Sequence, residues 1–141
     1  TWDIQDQVFA ELDSSAFLAF TGDSYAISAN GNTVAFTAFN DWSDSFTMVS
    51  NDNGDTWNSM SLVGSGISSN DWRGIVYNGG IFIAVSANRT DVSVSEDGVN
   101  WRLSPNPMVA GGATCIAAVE NNYIAQRTAT TNTIRVGRCT G

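Results

Sequence analysis

The side chains best equipped for chemistry are carboxylates and hydroxyls repeated at fixed spacing. Ser50, Asp52, Gly54, Thr56 and Trp57 fall in the segment Ser50-Asn51-Asp52-Asn53-Gly54-Asp55-Thr56-Trp57, and Ser95, Asp97, Gly98 and Trp101 recur in Ser95-Glu96-Asp97-Gly98-Val99-Asn100-Trp101. An Asp two residues after a Ser can accept hydrogen bonds from turn amides, a Gly supplies the left-handed position, and the hydroxyl closes the turn. The Trp that follows would bury a large apolar area between neighbouring sheets, worth about 2–3 kcal/mol or more. Such a carboxylate could instead ligate calcium or donate a proton. A repeated Asp at a hairpin already has amides to satisfy, however, so Asp52 and Asp97 are expected to be structural. A second candidate is Trp42, set between Asp41 and Asp44 in the loop Asn40-Asp41-Trp42-Ser43-Asp44. An exposed Trp beside carboxylates can stack a sugar ring while the acids bond its hydroxyls; the competing reading is a Trp folded back over a sheet edge.

The rest of the composition narrows the chemistry. The 141 residues carry 14 acidic and 6 basic side chains for a net charge of −8, with no His, and every basic residue is Arg because Lys is absent as well. A groove for nucleic acid is excluded on charge. The most common general base and the most common metal ligand are both missing. Cys115 and Cys139 are too few for a disulfide scaffold and lack zinc spacing, so no metal or cofactor is expected. An apolar share of 43% and mean hydropathy near zero fit one globular domain with a real core. No run reaches the ~18 apolar residues of a spanning helix, and the opening residues do not read as a secretory leader. Because it opens at Thr1, the chain is expected to be a processed product, an excised piece or a segment of a larger assembly.

Helical periodicity is hard to find, whereas short β-branched and aromatic runs alternate with Gly, Asn, Asp and Ser clusters. Strands are expected at residues 25–29, 33–39, 45–50, 57–63, 72–77, 81–87, 91–95, 101–104, 114–119, 123–128 and 133–136; residues 11–20 could be strand, helical turn or apolar loop. Asn30-Gly31-Asn32, Asn78-Gly79-Gly80 and Asn121-Asn122 stand just after the first strand of three successive units. Residues that tolerate positive φ permit a tight reversal there. The units are YAISANGNTVAFTAFNDWSDSFTMVSNDNGDTW from Tyr25, WRGIVYNGGIFIAVSANRTDVSVSEDGVNW from Trp72 and ATCIAAVENNYIAQRTATTNTIRVGRCTG from Ala113. Four short strands per unit at a period of about 45 residues suit the blade of a β-propeller. The expected fold is therefore all-β, a propeller of four-stranded antiparallel blades with three blades in this chain: 25–63, 71–105 and 113–141.

The Ser50–Trp57 segment resembles the Asp-box of the sialidase-type, or BNR, repeat family, whose pattern is S-x-D-x-G-x-T-W. Ser95–Trp101 resembles a variant one residue shorter in which Asn100 replaces Thr. This resemblance implies a propeller whose boxes are staples on the periphery, away from the central ligand face. It also raises sialidase chemistry, which uses an arginine triad, a Tyr paired with Glu, and an acidic general acid. Arg73, Arg102, Arg127, Arg135, Tyr25, Tyr77, Tyr123, Glu11, Glu96 and Glu120 supply the residue types. No Phe-Arg-Ile-Pro segment accompanies them, and Glu96 lies inside a box, so no catalytic residue is assigned and the chain is not expected to be an enzyme.

Joining the end of the chain to its start gives Gly137-Arg138-Cys139-Thr140-Gly141 followed by Thr1-Trp2, which ends in the Thr-Trp of a box. Residues 1–9 are thus expected to supply the outer strand that the third unit lacks. Three blades cannot close a ring, but two copies joined head to tail can, so the expected partner is a second copy or the flanking blades of a longer chain. Cys115 and Cys139 should not pair within a blade, because they lie two strand spacings apart, roughly 9–10 Å, whereas a disulfide needs Cα atoms within about 7 Å. A surface poor in charge and rich in Ser, Thr, Asn and Gly resembles virion tail and fibre proteins and secreted adhesins. The expectation is a non-enzymatic recognition or structural module, at the virion surface or extracellular, that binds surface glycans or an assembly subunit and has no nucleic-acid or membrane role. The alternative is a fragment of a carbohydrate-active, sialidase-like propeller enzyme.

Overall fold

The computed structural model describes residues 20–27, 31–40, 45–60, 72–105, 112–119, 123–128, 131 and 133–138. These form eleven strands: β1 (Phe20–Ile27), β2 (Val34–Asn40), β3 (Ser45–Ser50), β4 (Asn58–Met60), β5 (Trp72–Asn78), β6 (Ile81–Ser86), β7 (Asp91–Ser95), β8 (Arg102–Pro105), β9 (Ala113–Val119), β10 (Tyr123–Thr128) and β11 (Ile134–Arg138). No helix occurs among the described residues. Three antiparallel sheets result, with strand orders β1-β2-β3-β4, β5-β6-β7-β8 and β11-β10-β9. Each is a plain up-and-down meander of neighbouring segments.

The sheets stack in chain order. β5 packs against β1 and β2 of the first sheet and against β9 of the third, and β6 also reaches β9. Two apolar layers fill the gaps. Between sheets 1 and 2 lie Ala35, Val49, Trp72, Ile75, Phe82 and Ala84, with Tyr77, Trp101 and Leu103 packed at the side. The Phe82 ring is 4.7 Å from Tyr77 and 6.2 Å from Trp101, both tilted, an arrangement aromatic pairs favour. Between sheets 2 and 3 lie Val76, Ile83, Val85, Val92, Val94 and Ala113, with Ile81 and Ile116 beside them. Period-2 alternation accounts for both layers: in β6, Phe82 and Ala84 face sheet 1 while Ile83 and Val85 face sheet 3.

Several boundaries differ from the sequence expectation. β1 starts at Phe20 instead of Tyr25, because its ladder with β2 continues past an irregularity between Phe20 and Gly22 to pair Phe20 with Asn40. β4 (Asn58–Met60) begins one residue later than expected and leaves Trp57 in the turn; the rest of the expected strand, residues 61–63, lies outside the described residues. Sheet 3 has three strands among the described residues. The expected outer strand, residues 1–9, lies outside them, as does all of 11–19.

Candidate functional site

The two Ser-x-Asp segments occupy equivalent hairpins, β3 to β4 and β7 to β8, at the outer side of successive sheets. In the first, Ser50 donates its hydroxyl to Asp52 Oδ1 at 2.8 Å, and the same Ser50 Oγ accepts the Gly54 amide at 2.8 Å. Asp52 Oδ1 accepts the Thr56 amide at 2.9 Å and its Oδ2 accepts the Thr56 hydroxyl at 2.5 Å. The Trp57 ring N–H closes the loop onto the Gly54 carbonyl at 2.9 Å. Further bonds tie this turn to the first hairpin of its own sheet: Asn53 N to Asn32 O at 3.1 Å and Thr33 Oγ1 to Asn51 Oδ1 at 3.0 Å.

The second hairpin repeats the pattern with one residue fewer. Ser95 donates to Asp97 Oδ1 at 3.0 Å and accepts from the Gly98 amide at 2.8 Å. Asp97 Oδ1 takes the Val99 and Asn100 amides, each at 2.8 Å, and Oδ2 takes Asn100 Nδ2 at 2.7 Å. Trp101 Nε1 donates to Gly98 O at 2.8 Å. Asn100 thus performs with its amide what Thr56 performs with its hydroxyl. The length difference is absorbed by backbone handedness. The longer loop has two successive left-handed residues, Asn53 (φ 62°) and Gly54 (φ 94°), where the shorter has Gly98 alone (φ 77°). Asn is among the few non-glycine residues that tolerate this region.

These bonds fix the protonation state of both acids. Hydrogen bonds from the Thr56 side chain and amide, then Ser50, hold the Asp52 carboxyl below the usual range. The Asn100 amide above all, with the Asn100 side chain, Val99 and Ser95, lowers Asp97 further against the opposing effect of burial. Donors that bond the ionised form favour it. Both groups therefore remain carboxylates at any ordinary pH and are poor proton donors.

The other residues singled out by type are scattered. Trp42, Asp41 and Asp44 lie outside the described residues, as do Glu11 and Glu120. Tyr77 packs on Phe82 in the inter-sheet layer. Arg73 is on β5 and Arg102 on β8, at opposite edges of sheet 2. Arg127 and Arg135 share sheet 3 but point to opposite faces, since Arg127 registers with Ile134 and Arg135 with Gln126. Among the described residues no three His, Cys, Asp or Glu side chains cluster as a metal site would require. A hollow of about 240 Å³ beside the second turn is lined by Ile81, Val94, Glu96, Asp97, Asn100 and Arg102, among others. It is smaller than the roughly 300–1,000 Å³ of typical ligand pockets.

The structure adds hydroxyl-organised turns that sequence reading missed. At the end of β6, Ser86 Oγ donates to Asn88 Oδ1 at 2.6 Å, a Ser-x-Asn analogue of the outer turns that the same spacing in the sequence could have revealed. At the equivalent end of β10, Thr128 Oγ1 accepts the Thr133 amide at 3.0 Å and bonds Thr131 Oγ1 at 2.6 Å.

The comparisons with known proteins agree with this architecture. No family model and no curated protein matches the sequence. Among solved structures, the chain is similar to YCF48 bound to D1 peptide, at TM-score 0.60 and 19% identity over 84% of this chain and 36% of that one. It is also similar to a GH74 enzyme of Niastella koreensis, at TM-score 0.51 and 20% identity over 80% of this chain and 16% of that one. Both are β-propellers, and the three stacked meanders are three blades of that fold. The chain spans 36% and 16% of the lengths of these two structures.

Proposed function

We propose that the chain is a non-enzymatic recognition or assembly module of the BNR, Asp-box kind, working at an extracellular or virion surface and binding a surface glycan or a protein partner. The observation that carries this reading is the full commitment of Asp52 and Asp97. Each repeated carboxylate receives donors at both oxygens from its own turn and has a lowered pKa. A glycosidase acid needs the opposite, a raised pKa and a face open to the glycosidic oxygen. The divergence of Arg127 and Arg135 to opposite faces likewise argues against one arginine clamp around a substrate carboxylate. One of the similar propellers is bound to a peptide, which supports protein partners in general. The likeness to the GH74 enzyme is what favours the second reading, a fragment of a carbohydrate-active propeller. Glycan-array and peptide binding, together with an assay for sugar release from polysaccharides, separates the two. Saturable binding without release, lost in Trp42→Ala, is expected; catalytic release overturns the proposal, and unchanged binding in Trp42→Ala removes the loop 40–44 from it.

A further inference from the structure

Three glycines that follow an Asn or Asp take left-handed backbone: Gly54 after Asn53 (φ 94°), Gly79 after Asn78 (φ 63°) and Gly98 after Asp97 (φ 77°). Such pairs are chemically labile, because a glycine amide has no side chain to shield it and can attack the side-chain carbonyl carbon of the residue before it. In two of the three pairs the attacking nitrogen is held back. The Gly54 amide donates to Ser50 Oγ and the Gly98 amide to Ser95 Oγ, each at 2.8 Å and each in a buried bond. Either nitrogen would have to leave that acceptor before it could attack. The following Trp ring N–H bonds the carbonyl of the same glycine, at 2.9 Å for Gly54 and 2.8 Å for Gly98, so the turn resists the rotation that ring closure needs. Asn53 is further tied by its own amide to Asn32 O at 3.1 Å.

The Asn78-Gly79 pair is built differently. Asn78 closes the β5–β6 ladder opposite Ile81, and Gly79 and Gly80 make the reversal, both left-handed and both exposed. Gly98 has Ser95 three residues earlier and Gly54 has Ser50 four residues earlier, whereas the same positions before Gly79 are Val76 and Ile75. Among the described residues no hydrogen bond holds the Gly79 amide, and a Cβ at Gly80 would meet nothing within 4 Å. We propose that Asn78 is a site of spontaneous modification, converted to aspartate and isoaspartate through a succinimide, and that Ser50 and Ser95 guard the corresponding bonds at Asn53 and Asp97. The Gly79 nitrogen bonds to Asn78 Cγ, the side-chain amide leaves as ammonia carrying the proton from that nitrogen, and water then opens the ring at either carbonyl. Either product adds a negative charge to a chain already at −8. Isoaspartate also inserts an extra main-chain carbon between the ladder and the two glycines, which breaks the register of Asn78 with Ile81. This chemistry is independent of what the module binds.

Incubation of the full chain in mildly alkaline buffer, followed by peptide mapping and isoaspartate methyltransferase labelling, tests it. In the folded protein Asn78 should convert at least about 10-fold faster than Asn53, the cost of giving up a buried hydrogen bond. In concentrated urea the two rates should converge, since both residues precede glycine. Ser50→Ala should speed conversion of Asn53 about 10-fold and leave Asn78 unchanged, with a native circular dichroism spectrum separating loss of the guard from misfolding. Asn78→Gln should remove the first acidic species that isoelectric focusing detects. Conversion of Asn53 as fast as Asn78 in the folded wild-type chain overturns the proposal whatever the variants do. An unchanged Asn53 rate in natively folded Ser50→Ala overturns the guarding role of the serine.

Discussion

Gly98 is where the second Asp-containing turn of blade 2 touches blade 1, and replacing it with Ala tests whether these turns hold blades together. A Cβ at Gly98 would lie 2.7 Å from Thr33 Cγ2, 3.5 Å from Phe82 Cε2 and 3.6 Å from Val49 Cγ1, on a residue with φ +77°. Left-handed backbone costs a residue with a side chain about 1–2 kcal/mol, and an extra methyl in a filled contact costs about 1–3 kcal/mol more. The sum, about 2–5 kcal/mol, corresponds to a fall in Tm of roughly 7–17 °C for a chain of this length. Gly80 provides the control: its φ is +90°, but a Cβ there meets nothing within 4 Å, so Gly80→Ala should lower Tm by only about 3–7 °C. Thr33→Ser removes the obstructing Cγ2 and keeps the hydroxyl that bonds Asn51. In that background the cost of Gly98→Ala should shrink to the Gly80→Ala value. Scanning calorimetry at one fixed protein concentration reads all of these. The reasoning is refuted if Gly98→Ala melts no lower than Gly80→Ala, or if Thr33→Ser gives no relief.

Other consequences follow from the same geometry. Because Asp52 and Asp97 have folded pKa values below the ordinary carboxyl value of about 3.9, the unfolded chain binds protons first as pH falls. Their contribution is therefore complete above that value and lost as pH drops through the depressed folded values; Asp52→Asn/Asp97→Asn should flatten the Tm-versus-pH curve below about pH 4, and an unchanged slope contradicts the assignment. Gly112→Ala places a Cβ 2.6 Å from Ser86 O and 2.7 Å from the Ala87 carbonyl carbon at φ +92°. Backbone cannot swing aside as Thr33 can, so its melting temperature should fall below that of Gly98→Ala. Cys115 registers with Arg127 on β10, while Arg138, just before Cys139, registers with Tyr123 at the other end of that strand. Non-reducing peptide mapping should accordingly recover no intrachain link between Cys115 and Cys139, and such a link would contradict the register.

The division between what sequence and structure each decided follows from the range of the interactions. Period-2 alternation and Asn-Gly turns are local, so the all-β class, the three units and strands such as β3, β7 and β10 were legible residue by residue. The Ser-x-Asp-x-Gly turns were legible for the same reason: their bonds span four residues or fewer. The tertiary structure alone decided where β1 begins, because Phe20 is extended by pairing with Asn40 across the sheet and not by its own propensity. It alone showed that Asn100 takes over from Thr56, since an amide and a hydroxyl become equivalent only when the backbone brings both to the carboxylate. Alternation could not tell that Val92 and Val94, in register with Val85 and Ile83, are buried, whereas Ile134 and Val136, in register with Arg127 and Ala125, are exposed. Alternation tells that a strand has two faces; which face finds a neighbour is decided only when sheets stack, because burial is a property of the pair.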